Sequence, residues 1–122
     1  MMPIVKETRL FVYGTLKRGF PGQAHLDGSR YEGCASTAPG YSLHDLGPYP
    51  ALVVAGPGIV EGELHWVTAE HLARLDHYEG PDYARESVVL ADGSQAEAYV
   101  MSVALVDGAP RIPDGVWRPK PA

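Results

Sequence analysis

The 122-residue chain carries 10 Lys and Arg against 15 Asp and Glu, a formal charge of −5, and 45% of its residues are hydrophobic: enough apolar material for one core, and too little charge bias for disorder. Glycine (14) and proline (11) make up about a fifth of the chain, against roughly 12% in an average protein, which argues against helix bundles and coiled coils. The longest basic cluster is Lys17-Arg18, too little for nucleic acid or an anionic membrane as the main partner, so a small molecule is the default ligand.

Thr8 to Tyr13 is a short, β-rich apolar run that stops at Gly14 and reads as a buried strand. A loop comes next through Gly14-Thr-Leu-Lys-Arg-Gly19 and Phe20-Pro-Gly22, and Gln23 to Leu26 is long enough for one helical turn before Asp27-Gly28. Ser29 to Ala38 and Tyr41 to Leu46 are the next strands, separated by Pro39-Gly40 and closed by the turn Gly47-Pro-Tyr-Pro50. Ala51 to Val54 and Ile59 to Val67 flank a turn at Gly56-Pro-Gly58; in the second, Val60, Gly62, Leu64 and Trp66 alternate with Glu61, Glu63 and His65. The one convincing helix spans 69–79, with Thr68 as N-cap, Gly80-Pro81 as stop, and Leu72, Leu75 and Tyr78 as its apolar stripe. Arg85 to Leu90 and Gln95 to Val103 form a last pair of strands around Asp92-Gly93. From Asp107 on, four prolines predict an extended tail draped over a single domain of residues 1–122. The single cysteine, Cys34, and the absence of a long apolar run predict a cytoplasmic protein without export or membrane insertion.

Two segments carry chemistry. In Tyr13-Gly-Thr-Leu-Lys-Arg-Gly19, Gly14 leaves the backbone open to a ligand, and successive free N–H groups in such a turn make a concave site for an anion such as a carboxylate. Walker A spacing is absent, because Lys17 lies inside the glycines. In Leu75-Asp-His-Tyr-Glu-Gly80, Asp76 and Glu79 share a helix face at the C-terminus, where the macrodipole opposes negative charge by roughly 0.3–1 kcal/mol each. That field, with any burial added, raises the pKa of Glu79 toward the range useful for general acid–base work. An exposed helix end with Asp76 bonded to the backbone explains the same segment, and the segment alone leaves both readings open.

Together and in order, Tyr13-Gly-Thr-Leu-Lys-Arg-Gly19, Tyr41-x-Leu43, Gly47-x-Tyr-Pro50, Val60-x-Gly-Glu-Leu64, Leu75-Asp-x-x-Glu-Gly80, Tyr83-x-Arg85 and Ala98-Tyr-Val100 resemble the γ-glutamylcyclotransferase-like family, which includes γ-glutamylamine cyclotransferases. The resemblance spans about residues 9–103. It implies an α+β fold, a small mixed β-barrel with flanking short helices, and conversion of a γ-glutamyl amide to 5-oxoproline and a free amine without metal or cofactor. It also implies Glu79 as the general acid/base, the N–H groups of Gly14, Thr15 and Leu16 as the carboxylate site, and Tyr13 and Tyr83 as pocket residues, with Arg85 pairing to a scaffold carboxylate. The chain departs from the family at Phe20-Pro-Gly-Gln-Ala-His25, where members often carry an asparagine. The reading from another class is a non-catalytic small-molecule binding module on the same fold.

His25, His44, His65, His71 and His77 lack His-x-x-x-His spacing and a cysteine pair, so they are expected to be surface or satisfied residues rather than metal ligands. Cys34, Trp66 and Tyr99 are expected in the core, and Glu61 and Glu63 on a solvated strand face.

Overall fold

A computed structural model describes residues 6–119. Seven strands and one α-helix occur in the order β1 (Thr8–Val12), β2 (Arg30–Ser36), β3 (Tyr41–Asp45), β4 (Pro50–Gly58), β5 (Glu61–Val67), α1 (Ala69–Glu79), β6 (Ala84–Val89) and β7 (Gln95–Val100), with 3-10 turns at Gln23–Leu26 and Val103–Val106. The strands form one mixed sheet in the order β2-β5-β1-β7-β4-β3, with β6 also paired to β7. The ladder is not closed: the barrel implied by the resemblance is here an open mixed sheet, joined across its remaining gap by one isolated bridge, Thr37 to Leu90.

The sheet divides at β7. A strand has two edges, and β6 takes one of them along the whole of β7. The other is shared: β1 runs parallel to it at Leu10–Glu97, and β4 runs parallel to it at Leu52–Val100. Where β1 leaves and β4 begins, the sheet splits. Tyr13 spans the split, its hydroxyl donating to the Tyr99 carbonyl at 2.5 Å and accepting the Leu52 N–H at 3.2 Å.

Alternation along β1 and β7 sorts the core into two faces. Phe11, Tyr13, Ala96, Ala98 and Val100 point to a larger cluster with Leu43, Leu52, Val60, Leu64 and Val88. On the other face, Leu10, Val12 and Tyr99 meet Leu72 and Leu75 of α1. The helix is set at both ends. Thr68 Oγ1 accepts the His71 N–H and His71 Nδ1 accepts the Thr68 N–H, a capping box in which histidine takes the usual Glu or Gln position. Since Nδ1 accepts, Nε2 carries the proton and donates to the Asp27 carbonyl at 2.9 Å, tying α1 to the turn after Leu26.

Several expectations change. The turn at Gly56-Pro-Gly58 is not a break between strands: β4 runs through it, with 54–57 bulged out between the pairs Ser42–Val53 and Tyr41–Gly58. Trp66 does not fill the core. It is half-buried, with Nε1 donating to Glu32 at 2.9 Å and Arg30 over its ring, because its partners across the sheet are the charged residues Arg9 on β1 and Arg30 on β2. Cys34 is exposed, since β2 is an edge strand that buries neither face fully. Glu63 is buried instead of solvated, accepting the Arg18 N–H at 3.0 Å. Val103 leaves β7 for the second 3-10 turn. After Asp107 the chain lies against the sheet: Asp45 N–H donates to Pro110, Ile112 N–H to Leu43, Glu61 N–H to Gly115, and Trp117 is buried in the larger cluster. Pro121 lies outside the described residues. Among those residues no helix is long and apolar enough to cross a membrane.

Candidate active site

The split beside β7 holds a cavity. Its walls come from the end of β1 (Phe11 to Tyr13), the adjoining loop (Gly14 to Leu16), the start of β4 with Tyr49 and Pro50, and Tyr83 and Tyr99, and Glu79 enters it from the last position of α1. All of the residues singled out in sequence, Tyr13, Gly14, Thr15, Leu16, Glu79 and Tyr83, line it together.

The loop is fixed by its own backbone bonds. Lys17 N–H donates to Gly14, Phe20 N–H to Lys17 and Gly22 N–H to Thr15; Arg18 N–H goes to Glu63 and Gly19 N–H to Gln23. Lys17 Nζ donates to the Trp117 carbonyl at 2.8 Å, so the tail anchors the loop as well. Among the described residues, the N–H groups of Gly14, Thr15 and Leu16 donate to no protein acceptor, while the amides after them are taken. Three consecutive donors without a protein acceptor thus stand at the cavity wall, the feature that an anion-binding backbone concavity requires. Gly14 is required for a reason that sequence alone does not give: a Cβ there would lie 2.7 Å from Pro50 Cγ, so the glycine lets β1 and β4 approach at the split.

Glu79 is largely buried, and burial pushes its carboxyl up to about 7. Asp76, three residues earlier, is treated in the opposite way. Burial pulls it upward, but hydrogen bonds from Arg85 (3.1 Å) and the Tyr99 hydroxyl (2.6 Å) hold it below the usual carboxylate range. Arg85 also reaches Glu97 at 2.8 Å, so this arginine pairs with scaffold carboxylates and locks the end of α1 to β6 and β7. The two acids of the helix end thus divide, one a permanently charged anchor and the other poised to exchange a proton near neutrality. Tyr83 lends its ring to the wall while its hydroxyl donates to the Pro50 carbonyl at 2.7 Å, and the Tyr13 hydroxyl is likewise committed to the backbone. Burial raises the pKa of both phenols, so they stay protonated at neutral pH.

Sequence reasoning does not find the Asp76–Tyr99–Arg85 network, because its members come from three elements and only the fold brings them together. Nor does it assign Tyr49 and Tyr78 to the site. The histidines line neither wall of the cavity: His25 packs at a tilt behind Tyr78, His44 bonds Ser42 and Ala109, His65 bonds Ser29 and Glu63, and His71 caps α1. His77 is exposed and faces a shallow surface with Arg74, away from Glu79.

A family model described as "Gamma-glutamyl cyclotransferase, AIG2-like" matches residues 10–119. The chain belongs to this family. It is 41% identical over 81 residues to a Vibrio cholerae protein described as "Putative gamma-glutamylcyclotransferase", a match covering 65% of this chain and 70% of that one. It is 40% identical over 83 residues to the human gamma-glutamylaminecyclotransferase, covering 57% of this chain and 52% of the human protein, so the match spans about half of the latter. Among solved structures, a uropathogenic E. coli-specific protein superposes with a TM-score of 0.84 at 25% identity, over 91% of this chain and 92% of the other. The mixed α+β architecture of this chain is therefore shared with that protein, and the Glu79 cavity lies within the span that the family model matches.

Proposed function

We propose that this member of the γ-glutamyl cyclotransferase family converts γ-glutamyl amides of amines to 5-oxoproline and the free amine. The observation that carries the reading is the juxtaposition of three unpartnered loop amides, at Gly14, Thr15 and Leu16, with a carboxyl held near neutrality in one cavity. The amides receive the substrate's α-carboxylate. This is how a chain of charge −5 holds an anion: locally, with backbone dipoles, and not by its overall field.

With the carboxylate fixed, folding the glutamyl chain back places the α-nitrogen against the γ-carbonyl carbon, and the bound geometry supplies much of the rate by making the attack intramolecular. The α-ammonium gives a proton to the Glu79 carboxylate, the α-nitrogen forms a bond to the γ-carbonyl carbon, and the bond from that carbon to the amine nitrogen breaks as Glu79 returns the proton to the departing amine; the second proton that the α-nitrogen sheds on becoming the lactam N–H passes to the same amine, which leaves as an ammonium. One carboxyl serves both transfers, and no external reactant is consumed. A pKa of about 7 suits a group that must be base and then acid at neutral pH. The exposed thiol of Cys34, with no second cysteine in the sequence, supports a reducing compartment such as the cytoplasm.

The test is incubation with a panel of γ-glutamyl amines and γ-glutamyl dipeptides, with 5-oxoproline measured by mass spectrometry. Glu79→Gln keeps the shape and removes the proton exchange, and it should lower the rate by at least about a hundredfold. Turnover unchanged in that variant would sink the mechanism, and no 5-oxoproline from any member of the panel would sink the activity.

A further inference from the structure

The Glu79 cavity opens into a second hollow of about 370 Å³. The two share Thr15, Tyr49, Glu79 and Tyr83, and the outer one is completed by Tyr78 and two prolines, Pro21 and Pro48. Of the seven tyrosines in the chain, the two most open to solvent are Tyr49 (46%) and Tyr78 (41%), and both stand here. Their rings are nevertheless held. Tyr78 stacks on His25 with centroids 4.0 Å apart and its hydroxyl lies 3.4 Å from Thr15 Oγ1. Tyr49 packs at 6.4 Å against Tyr83, which is itself tied to Pro50. Apart from Glu79 and the phenols, no titratable side chain lines this hollow among the described residues. A substrate carboxylate arriving here finds no counter-ion, and an ammonium finds only Glu79, which the cyclisation itself engages.

If the α-carboxylate sits on the 14–16 amides and the γ-carbonyl beside Glu79, the amine's substituent extends toward this hollow, which meets the inner cavity at Glu79. We propose that the outer hollow is the leaving-amine subsite and that Tyr49 and Tyr78 make it selective for aromatic or bulky apolar amines over amines bearing further charge. The inference rests on the cyclisation reading. Held aromatic faces gain a ring's burial without first losing rotamer freedom of their own, and ring pairs add offset or edge-to-face attraction to that burial.

The measurement is kcat/KM for 5-oxoproline release from γ-glutamylbenzylamide, γ-glutamylmethylamide and ε-(γ-glutamyl)lysine. The benzylamide should exceed each of the others by about tenfold, from one ring packed between aromatic faces. In Tyr49→Ala and in Tyr78→Ala the benzylamide-to-methylamide ratio should fall to within about twofold of unity, chiefly through KM, while Tyr49→Phe and Tyr78→Phe should keep it, since the ring and not the hydroxyl carries the preference. Equal kcat/KM for the three substrates in the parent protein, or a ratio that survives both alanine variants, would overturn the subsite while leaving cyclisation intact. No 5-oxoproline from any of the three would instead overturn the cyclisation reading and the subsite with it.

Discussion

Glu79 is where the physics of a single residue bears most directly on function. Its carboxyl titrates at about 7 instead of 4.5 because burial disfavours the charged form. The folded state holds this proton more tightly than the unfolded chain, so the stabilisation is complete below about pH 4.5 and is lost as pH rises through 7, by an amount on the order of 3 kcal/mol. Glu79→Gln, always neutral, should therefore be more stable than the parent at pH 8 and nearly equal to it at pH 4, which paired urea denaturation curves at the two pH values would show; equal stability differences at both would refute the burial argument. Gly14→Ala places a methyl against Pro50 and should cost about 1–3 kcal/mol as an overpacked contact, with a rise in KM because the 14–16 amides shift. Both residues stand out in the sequence, but their reasons are only half legible there. The helix-end field points to a raised Glu79, whereas burial causes it, and Gly14 reads as access for a ligand, whereas it also admits Pro50.

Among the elements, the bounds of α1 are readable because its signals are local: Thr68, Leu72, Leu75 and Gly80 all act within a turn of where they sit, whereas Tyr78, the third residue of the expected stripe, is exposed and packs on His25 instead of the core. Gly80 ends the helix at φ +83°, ψ −179°, a region only glycine enters without strain, and a Cβ there would meet nothing within 4 Å. Gly80→Ala should accordingly lose about 1–3 kcal/mol from backbone strain alone, read as a drop in Tm, and should lower kcat more than it raises KM, because Glu79 is the residue next to it. The strands are less legible. That β4 continues through Gly56-Pro-Gly58 depends on pairing with Tyr41 across the sheet, a long-range contact that no window of β4 encodes. Trp66 and Cys34 are misplaced by sequence for the same reason: alternation gives the face of a strand but not whether that face is covered.

At the scale of the whole molecule, the site exists because one edge of β7 is shared by two parallel strands. Composition points to one small turn-rich domain, and the family resemblance carried by the motif order implies an α+β fold with the Tyr13–Gly19 loop and the helix end facing one cavity. The split that makes the cavity, and the open ladder in place of a closed barrel, arise from strand order and cannot be read from spacing. The tail completes the arrangement. Trp117, 4% exposed in the larger core cluster, also holds Lys17 through its carbonyl. Trp117→Ala should destabilise by about 3–5 kcal/mol, seen as a lower urea midpoint at unchanged slope. The claim that ties these scales together is that a buried carboxyl at the end of α1 exchanges the proton of the cyclisation, and the pH dependence of kcat/KM for 5-oxoproline release tests it most directly. The parent protein should rise through an acid limb with its midpoint near pH 7, where Glu79 ionises; a rate that is flat from pH 5 to 8, or the same limb in Glu79→Gln, would contradict it.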